Sequence, residues 1–416
     1  MNGNRMLCDT PPMGWNSFDC FGGKVTEADV KANADYMAEH LKSHGWEYIV
    51  VDIAWYADCD IPNPLHMDEY GRLIPAPRMF PSSAGGKGFE PLADYIHDKG
   101  LKFGIHIMRG IPKIAIEKNA PILASKARAA DIANKESLCG WWEHMYGVDP
   151  AKNGAQAYYD SLVELYAGWG VDFIKADDIS KPYSAGEIEL LNNAITKCGR
   201  NIVLSLSPGP TRLEDAPHVT THANMWRLSG DLWDNWQQLL ASFKFCEEWN
   251  AHRSPGHWPD LDMLPLGRLE VVAARESSEE RWSRLTRDEQ ITMITLWVIF
   301  RSPLMIGGHL PANDDWTLSL FTNDEVLDVL KRSDSNRQLY LTEDKAAWAA
   351  SGPDGSTYLA LFNLKDHLAT VEAAFEPVGL IGTCKARDLW LHKDLGPKDS
   401  TVSFELPPHG AKLLRL

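Results

Sequence analysis

Val171-Asp172-Phe173-Ile174-Lys175-Ala176-Asp177 reads as a β-strand that ends in a carboxylate. Side chains alternate along a strand, so Val171, Phe173, Lys175 and Asp177 share one face, and Asp172, Ile174, Ala176 and Asp178 the other. A lysine on an otherwise apolar face, followed two residues later by an aspartate, describes a barrel interior opening into a pocket. An ion pair at a strand end is an equally good description of this stretch alone. Asp178 is the rival carboxylate, but its parity turns it away from Lys175. A second stretch, Trp226-Arg227-Leu228-Ser229-Gly230-Asp231, carries a cation four residues before an aspartate. Gly230 lets the backbone turn just before Asp231. Asp231 also precedes an amphipathic stretch, and taken alone it reads better as a helix N-cap than as a reactive group.

Outward from these two stretches, the chain alternates strand-like and helix-like segments from about residue 12 to 330. Strand-like runs fall at 48–53, 101–107, 171–176, 202–206 and 224–228. Helical spacing marks 27–44, 89–99, 155–169, 187–197, 235–250 and 287–300. Repeated βα units build a parallel sheet, and about eight of them close a barrel. An open doubly wound sheet is disfavoured, because no Gly-rich phosphate loop follows the first strand. Two connections are long: 56–88, rich in Pro and Gly, and 108–150, with a helical piece over 120–135 and the pair Trp141-Trp142. Both follow strands, so both should cover the C-terminal face of the barrel. After residue 333 short β-rich runs at 338–341, 346–351, 357–361, 371–375, 386–391, 401–406 and 411–414 alternate with Asp, Gly and Pro. The expected architecture is therefore a (β/α)8 TIM barrel over 1–332, followed by a small antiparallel β-sandwich over 333–416.

At 416 residues the chain exceeds one ordinary core. Its net charge of −16, from 57 acidic and 41 basic residues, argues against nucleic acid or an anionic membrane as a partner. No apolar run has transmembrane length. The first residues lack the apolar core of a signal peptide, which implies a cytoplasmic location or a mature form whose signal has been removed. The seven cysteines form no CxxC pair and are odd in number, so no disulfide framework is expected. His40 and His44 are four apart, but the glutamate of an HExxH zinc motif is missing. Neither a metal nor a cofactor is expected.

Two aspartates brought to one pocket by separate strands suit cleavage of a glycosidic bond. One attacks the sugar carbon and the other protonates the leaving oxygen. Lys175 and Arg227 would hold sugar hydroxyls and keep a carboxylate ionised. Among 16 tryptophans, Trp15, Trp55, Trp226, Trp233 and Trp258 sit at strand ends. Each alone is more often core, yet together they offer faces for the C–H side of a sugar.

These segments resemble glycoside hydrolase family 27, the α-galactosidase family, over essentially the whole chain. The matching blocks are Pro11-Pro12-Met13-Gly14-Trp15-Asn16-Ser17, Gly100-Leu101-Lys102-Phe103-Gly104-Ile105, the two stretches quoted above, Gly256-His257-Trp258-Pro259-Asp260-Leu261-Asp262-Met263-Leu264, and Ser302-Pro303-Leu304-Met305-Ile306-Gly307-Gly308. The resemblance implies a retaining double displacement on a small-molecule or oligosaccharide substrate, with Asp177 as nucleophile and Asp231 as acid/base. It aligns Trp15, Asp52, Lys175 and Arg227 with sugar-contacting positions, and puts Asp262 in the block that supports the site.

The departures matter as much. The family's aspartate pair at the second strand is here Asp52-Ile53, and the cysteine that follows is Ala54. The resemblance therefore implies that Cys20 has lost its disulfide partner, in keeping with a reducing compartment. It also implies a changed sugar. The aspartate pair holds the 4- and 6-hydroxyls of galactose, and Ile53 cannot bond a hydroxymethyl. β-L-Arabinopyranose is α-D-galactopyranose without that carbon. The block Gly104-Ile105-His106-Ile107-Met108-Arg109-Gly110-Ile111-Pro112 resembles the β-L-arabinopyranosidase subgroup, which puts His106 among the expected sugar-binding residues. The family's Ser-Leu-Cys-Glu-Trp segment becomes Ser205-Leu206-Ser207-Pro208-Gly209, which puts Ser207 where the sugar 2-position is read. Three readings stand: an arabinopyranosidase, an α-D-galactosidase that tolerates Ile53, and an inactive sugar-binding barrel. Retention of both carboxylates with both cations speaks against the last.

Overall fold

The computed structural model describes residues 7–58, 64–272 and 279–416. Eight parallel strands form one sheet: β1 Met13–Asn16, β2 Tyr48–Val51, β3 Lys102–Met108, β4 Phe173–Asp177, β5 Val203–Leu206, β6 Met225–Arg227, β7 Trp258–Asp260 and β8 Leu304–Ile306. They are buried on both faces, which is why β2 is the unbroken apolar run Tyr48-Ile49-Val50-Val51. Their order follows the chain from β1 to β7, with β8 beside β1. Leu264, just past β7, closes the ring: its N–H donates to Met305 O at 2.8 Å and its carbonyl accepts from Gly307 N at 2.9 Å.

Alternation fills the barrel in layers. Tyr48, Val50, Phe173, Val203, Met225 and Met305 form an apolar plug. One step further toward the C-terminal ends, the same inward parity gives Asp52, Lys175 and Arg227. A polar cavity thus rests on a dry floor.

The surrounding helices are α1 Glu27–Tyr36, α2 Glu90–His97, α3 Ala155–Gly168, α4 Ala185–Cys198, α5 Ala216–His222, α6 Trp236–Trp249, α7 Arg287–Phe300 and α8 Asp324–Arg332. α1 opens on a capping box between Thr26 and Asp29. The single helix expected over 27–44 changes pitch, with a wider turn at Met37–Leu41 and a tighter one at Lys42–His44 before Gly45 stops it at φ 99°. α7 is buried on nearly all sides, because it lies between the barrel and the C-terminal sheet.

Two expectations need correction. The piece over 120–135 is helical only at Ala129–Ile132; Ala133–Leu138 joins Ile111–Pro112 and Met145–Val148 in a three-stranded sheet. In the C-terminal region, 386–391 is instead the strand Thr383–Asp388, paired with Lys393–Asp399. That second strand, Lys393-Asp394-Leu395-Gly396-Pro397-Lys398-Asp399, is mostly exposed and has a single large apolar residue, so no alternation betrays it. The C-terminal sandwich sets a six-stranded antiparallel sheet against the ribbon Ala369–Ala374/Thr401–Leu406, with Ala347, Leu359, Leu361, Val371 and Val402 between them.

Among the described residues no helix is long and apolar enough to cross a membrane. The cysteines Cys8, Cys20, Cys139, Cys198, Cys246 and Cys384 are free, while Cys59 and the first six residues lie outside the described residues.

Candidate active site

A cavity of about 300 Å³ opens at the C-terminal ends of the strands. Its polar lining is Asp19, Asp52, Lys175, Asp177, Arg227, Asp231 and Asp262; its apolar lining includes Phe18, Ile53, Trp141, Pro208, Leu232 and Met263.

Lys175 Nζ donates to Asp52 Oδ2 at 2.8 Å, and Asn16 Nδ2 donates to the same oxygen at 2.7 Å. The other Asp52 oxygen accepts from Ile53 N. Burial opposes the Asp52 charge, but Lys175 and these donors outweigh it and hold the carboxyl well below the usual range. Asp177 is set the same way. Burial works against its ionisation, and His106 Nε2 at 3.1 Å, Lys175 and the Asp178 N–H prevail to lower its pKa. It therefore stands as an anion at neutral pH.

Arg227 occupies the opposite wall. Its Nη2 lies 2.5 Å from Asp262 Oδ2 and 3.5 Å from Asp231 Oδ1, and donates to Gly230 O at 2.7 Å. Asp262 also accepts from Leu232 N at 2.7 Å, so it fixes the backbone next to Asp231. Burial, aided by Asp260 and Asp231, pushes the Asp262 carboxyl up against the pull of Arg227. The Asp231 side chain is 53 % exposed at the mouth, where a proton can enter and leave. It caps no helix: Asn235 is the N-cap of α6, accepting from Gln237 N and Gln238 N.

The structure thus gathers Asp52, Ile53, Lys175, Asp177, Arg227, Asp231 and Asp262 around one cavity. Three predicted sugar-binding residues do not line it. Trp15 points out of β1 and donates to Gly308 O at 2.9 Å; alternation turns its neighbour Asn16 inward instead. His106 is wholly buried beneath Asp177 and braces that carboxylate. Ser207 is buried against Ala176, its N–H donating to the Ala176 carbonyl, and the next residue, Pro208, lines the cavity.

Asp19 was not foreseen. It is 2 % exposed and its Oδ2 has no hydrogen-bond partner. Gly307 leaves room for it, since a Cβ there would fall 2.0 Å from that oxygen. Burial and the nearby Asp262 push the Asp19 carboxyl well above the usual range. Trp141, 49 % exposed, reaches the mouth from the connection between β3 and α3. The pair Trp141-Trp142 was the only signal for it. Among the described residues, the one His/Cys/Asp/Glu group with metal-ligand spacing lies outside this cavity.

Comparison with known proteins decides the family. The model described as "Alpha galactosidase A" matches residues 10–115 and 149–331, and that of the α-galactosidase C-terminal β-sandwich domain matches 342–416. The chain belongs to glycoside hydrolase family 27, the α-galactosidase family. An α-galactosidase of Cyamopsis tetragonoloba is 28 % identical over 98 % of this chain and 86 % of its own. A solved family 27 β-L-arabinopyranosidase of Geobacillus stearothermophilus superimposes with a TM-score of 0.96 at 51 % identity, over 98 % of this chain and 96 % of that one. An aspartate-to-alanine variant of that enzyme, solved with arabinose, has a TM-score of 0.95 at 51 % identity, over 98 % of this chain and 97 % of its own. As a family 27 member this chain is a glycoside hydrolase acting on small sugars or oligosaccharides. Trp141 falls in the interval that the family model leaves unmatched.

Proposed function

We propose that this hydrolase removes terminal β-L-arabinopyranosyl residues with net retention. Asp177 attacks the anomeric carbon, and Asp231 first protonates the leaving oxygen and then deprotonates the incoming water. The observation that carries the sugar assignment is Ile53. It lines the cavity directly after the Lys175-bound Asp52, so the wall there is apolar where a second carboxylate would take a hydroxymethyl. An arabinopyranosyl ring presents no hydroxymethyl to that wall. Asp52, with Lys175 and Asn16 on Oδ2 and the Ile53 N–H on Oδ1, keeps an Oδ1 lone pair for a ring hydroxyl. Trp141 at the mouth offers an apolar face to the aglycone.

The anionic state of Asp177 supports its role as nucleophile, and the exposed position of Asp231 supports proton exchange with water. The test compares kcat/KM on aryl β-L-arabinopyranoside and aryl α-D-galactoside, with NMR of the first-formed anomer. Preference for the arabinoside and a retained anomer are expected. Preference for the galactoside would return the chain to the α-galactosidases, and an inverted product would remove the double displacement.

We also assign 1–332 to the catalytic unit and 333–416 to the sandwich. The helix ending at Arg332 and the strand beginning at Asp334 support that division. The free cysteines support a reducing, cytoplasmic setting.

A further inference from the structure

Glu189 on α4 and His218 and His222 on α5 stand apart from the cavity and have no part in the chemistry above. One ligand atom from each lies within 4.8 Å of the others. The histidines are four apart, so one helical face presents both rings, which stack with centroids 4.2 Å apart and 25° between planes. His218 Nε2 is 3.1 Å from Glu189 Oε1.

The remaining contacts set the donors. His222 Nδ1 bonds to the His218 carbonyl at 2.8 Å. A carbonyl only accepts, so that nitrogen carries the proton and His222 Nε2 keeps its lone pair. His218 Nδ1 is 2.7 Å from the Tyr183 hydroxyl. A hydroxyl can donate or accept, so it suits both tautomers of His218: Nε2–H facing Glu189, or Nδ1–H with a bare Nε2. Each imidazole thus has its far nitrogen held, as metal-bound histidines do. A plain His–Glu ion pair would account for His218 but not for the aligned His222.

We propose that Glu189, His218 and His222 bind a divalent transition ion of the zinc class, with water completing the coordination. Two imidazole nitrogens and one carboxylate oxygen suit Zn²⁺, whereas Ca²⁺ and Mg²⁺ prefer all-oxygen sets. The half-exposed Glu189 side chain closes the gap to bonding distance by rotation. The ion would pin α4, the helix after the nucleophile strand, to α5, the helix after β5. Its effect is on stability rather than on the reaction.

The test uses the full chain stripped with a chelator and titrated with Zn²⁺ by calorimetry, with thermal melts in parallel. The wild type should bind one equivalent in the micromolar range and melt higher with Zn²⁺. His222→Ala should weaken binding by more than about 100-fold and lose the thermal shift, and Tyr183→Phe should weaken it by about 10-fold. Melting of each variant with chelator present checks that it folds. Co²⁺ should give visible bands in the wild type that are absent from His222→Ala. Absence of stoichiometric binding, or equal binding by His222→Ala, would overturn the proposal. Glycosidase rates enter none of these measurements, so they stand whatever sugar the cavity takes.

Discussion

On the cavity side of β4, Asp177 receives single bonds from His106 and from the Asp178 N–H, with Lys175 nearby. On the other side, Asp178 is clamped by Arg109. Nη2 reaches Asp178 Oδ2 at 2.7 Å, Nε reaches the Asp178 carbonyl at 2.6 Å, and Nη1 reaches Glu187 Oε1 at 2.7 Å. Tyr159 and Val148 N complete the Glu187 shell. Burial disfavours both charges, yet the outcomes differ: Asp177 is lowered, and Asp178 stays raised despite its guanidinium. Asp177 keeps its spare lone pairs at the cavity, whereas Asp178 is buried and its Arg109 partner is shared with the Asp178 carbonyl and Glu187, which ties three groups together. The first arrangement suits a nucleophile and the second a brace.

The largest test of this contrast is Asp177→Ala. Turnover of an aryl arabinoside should fall by at least about 10⁴-fold, with no loss of thermal midpoint. Azide should then restore a product of inverted configuration. An inactive Asp178→Asn beside an active Asp177→Ala would reverse the comparison.

Arg109→Met probes the brace. It leaves Asp178 and Glu187 buried without their shared cation, and should cost about 3–5 kcal/mol in urea denaturation. Turnover per folded molecule should change far less than in Asp177→Ala. Equal losses in the two variants would erase the distinction between the faces.

Ile53→Asp sharpens the cavity side. It should move the arabinoside-to-galactoside ratio of kcat/KM toward galactoside by about 10- to 1000-fold, by freeing volume and adding an acceptor. It should also slow the arabinoside, because the new carboxylate lacks a partner there. An unchanged ratio would sink the sugar assignment.

The smallest effect is a pair of opposed pH slopes. Asp52 is lowered from 3.8, so its contribution to stability is complete above that value and is lost as pH falls through the lowered pKa. Asp178 is raised from 3.8, so it disfavours the fold as pH rises from 3.8 through the raised pKa. As pH falls from about 7, the stability of wild type minus Asp178→Asn should grow first, above about pH 4, and that of wild type minus Asp52→Asn should decline afterwards, below about pH 4. Denaturant titrations at several pH values read both.

Strand parity separated Asp177 from Asp178 correctly, because alternation is a local property. The apolar strand runs made the barrel legible for the same reason. Positions set by distant partners were not legible. Trp15 matches the sugar-contacting position of the family, yet it packs outward on Phe21 and the Gly308 carbonyl, and Asn16 does the inward work. Asp19 hides in the one-turn helix Phe18–Phe21, where nothing nearby in sequence marks a buried carboxyl. Asp231 read as a cap because the chain runs four residues further before α6 begins, and only the fold reveals Asn235.

The Trp15–Gly308 bond joins residues 293 positions apart, and β1 finds its second neighbour only in β8. During synthesis the ring cannot close until Leu304–Ile306 has left the ribosome. Until then β1 and the β7 end carry open hydrogen-bonding edges, which invite pairing with other chains. α7 must wait still longer for the sheet that covers it. A chain stalled before Leu304 would keep both of those edges open.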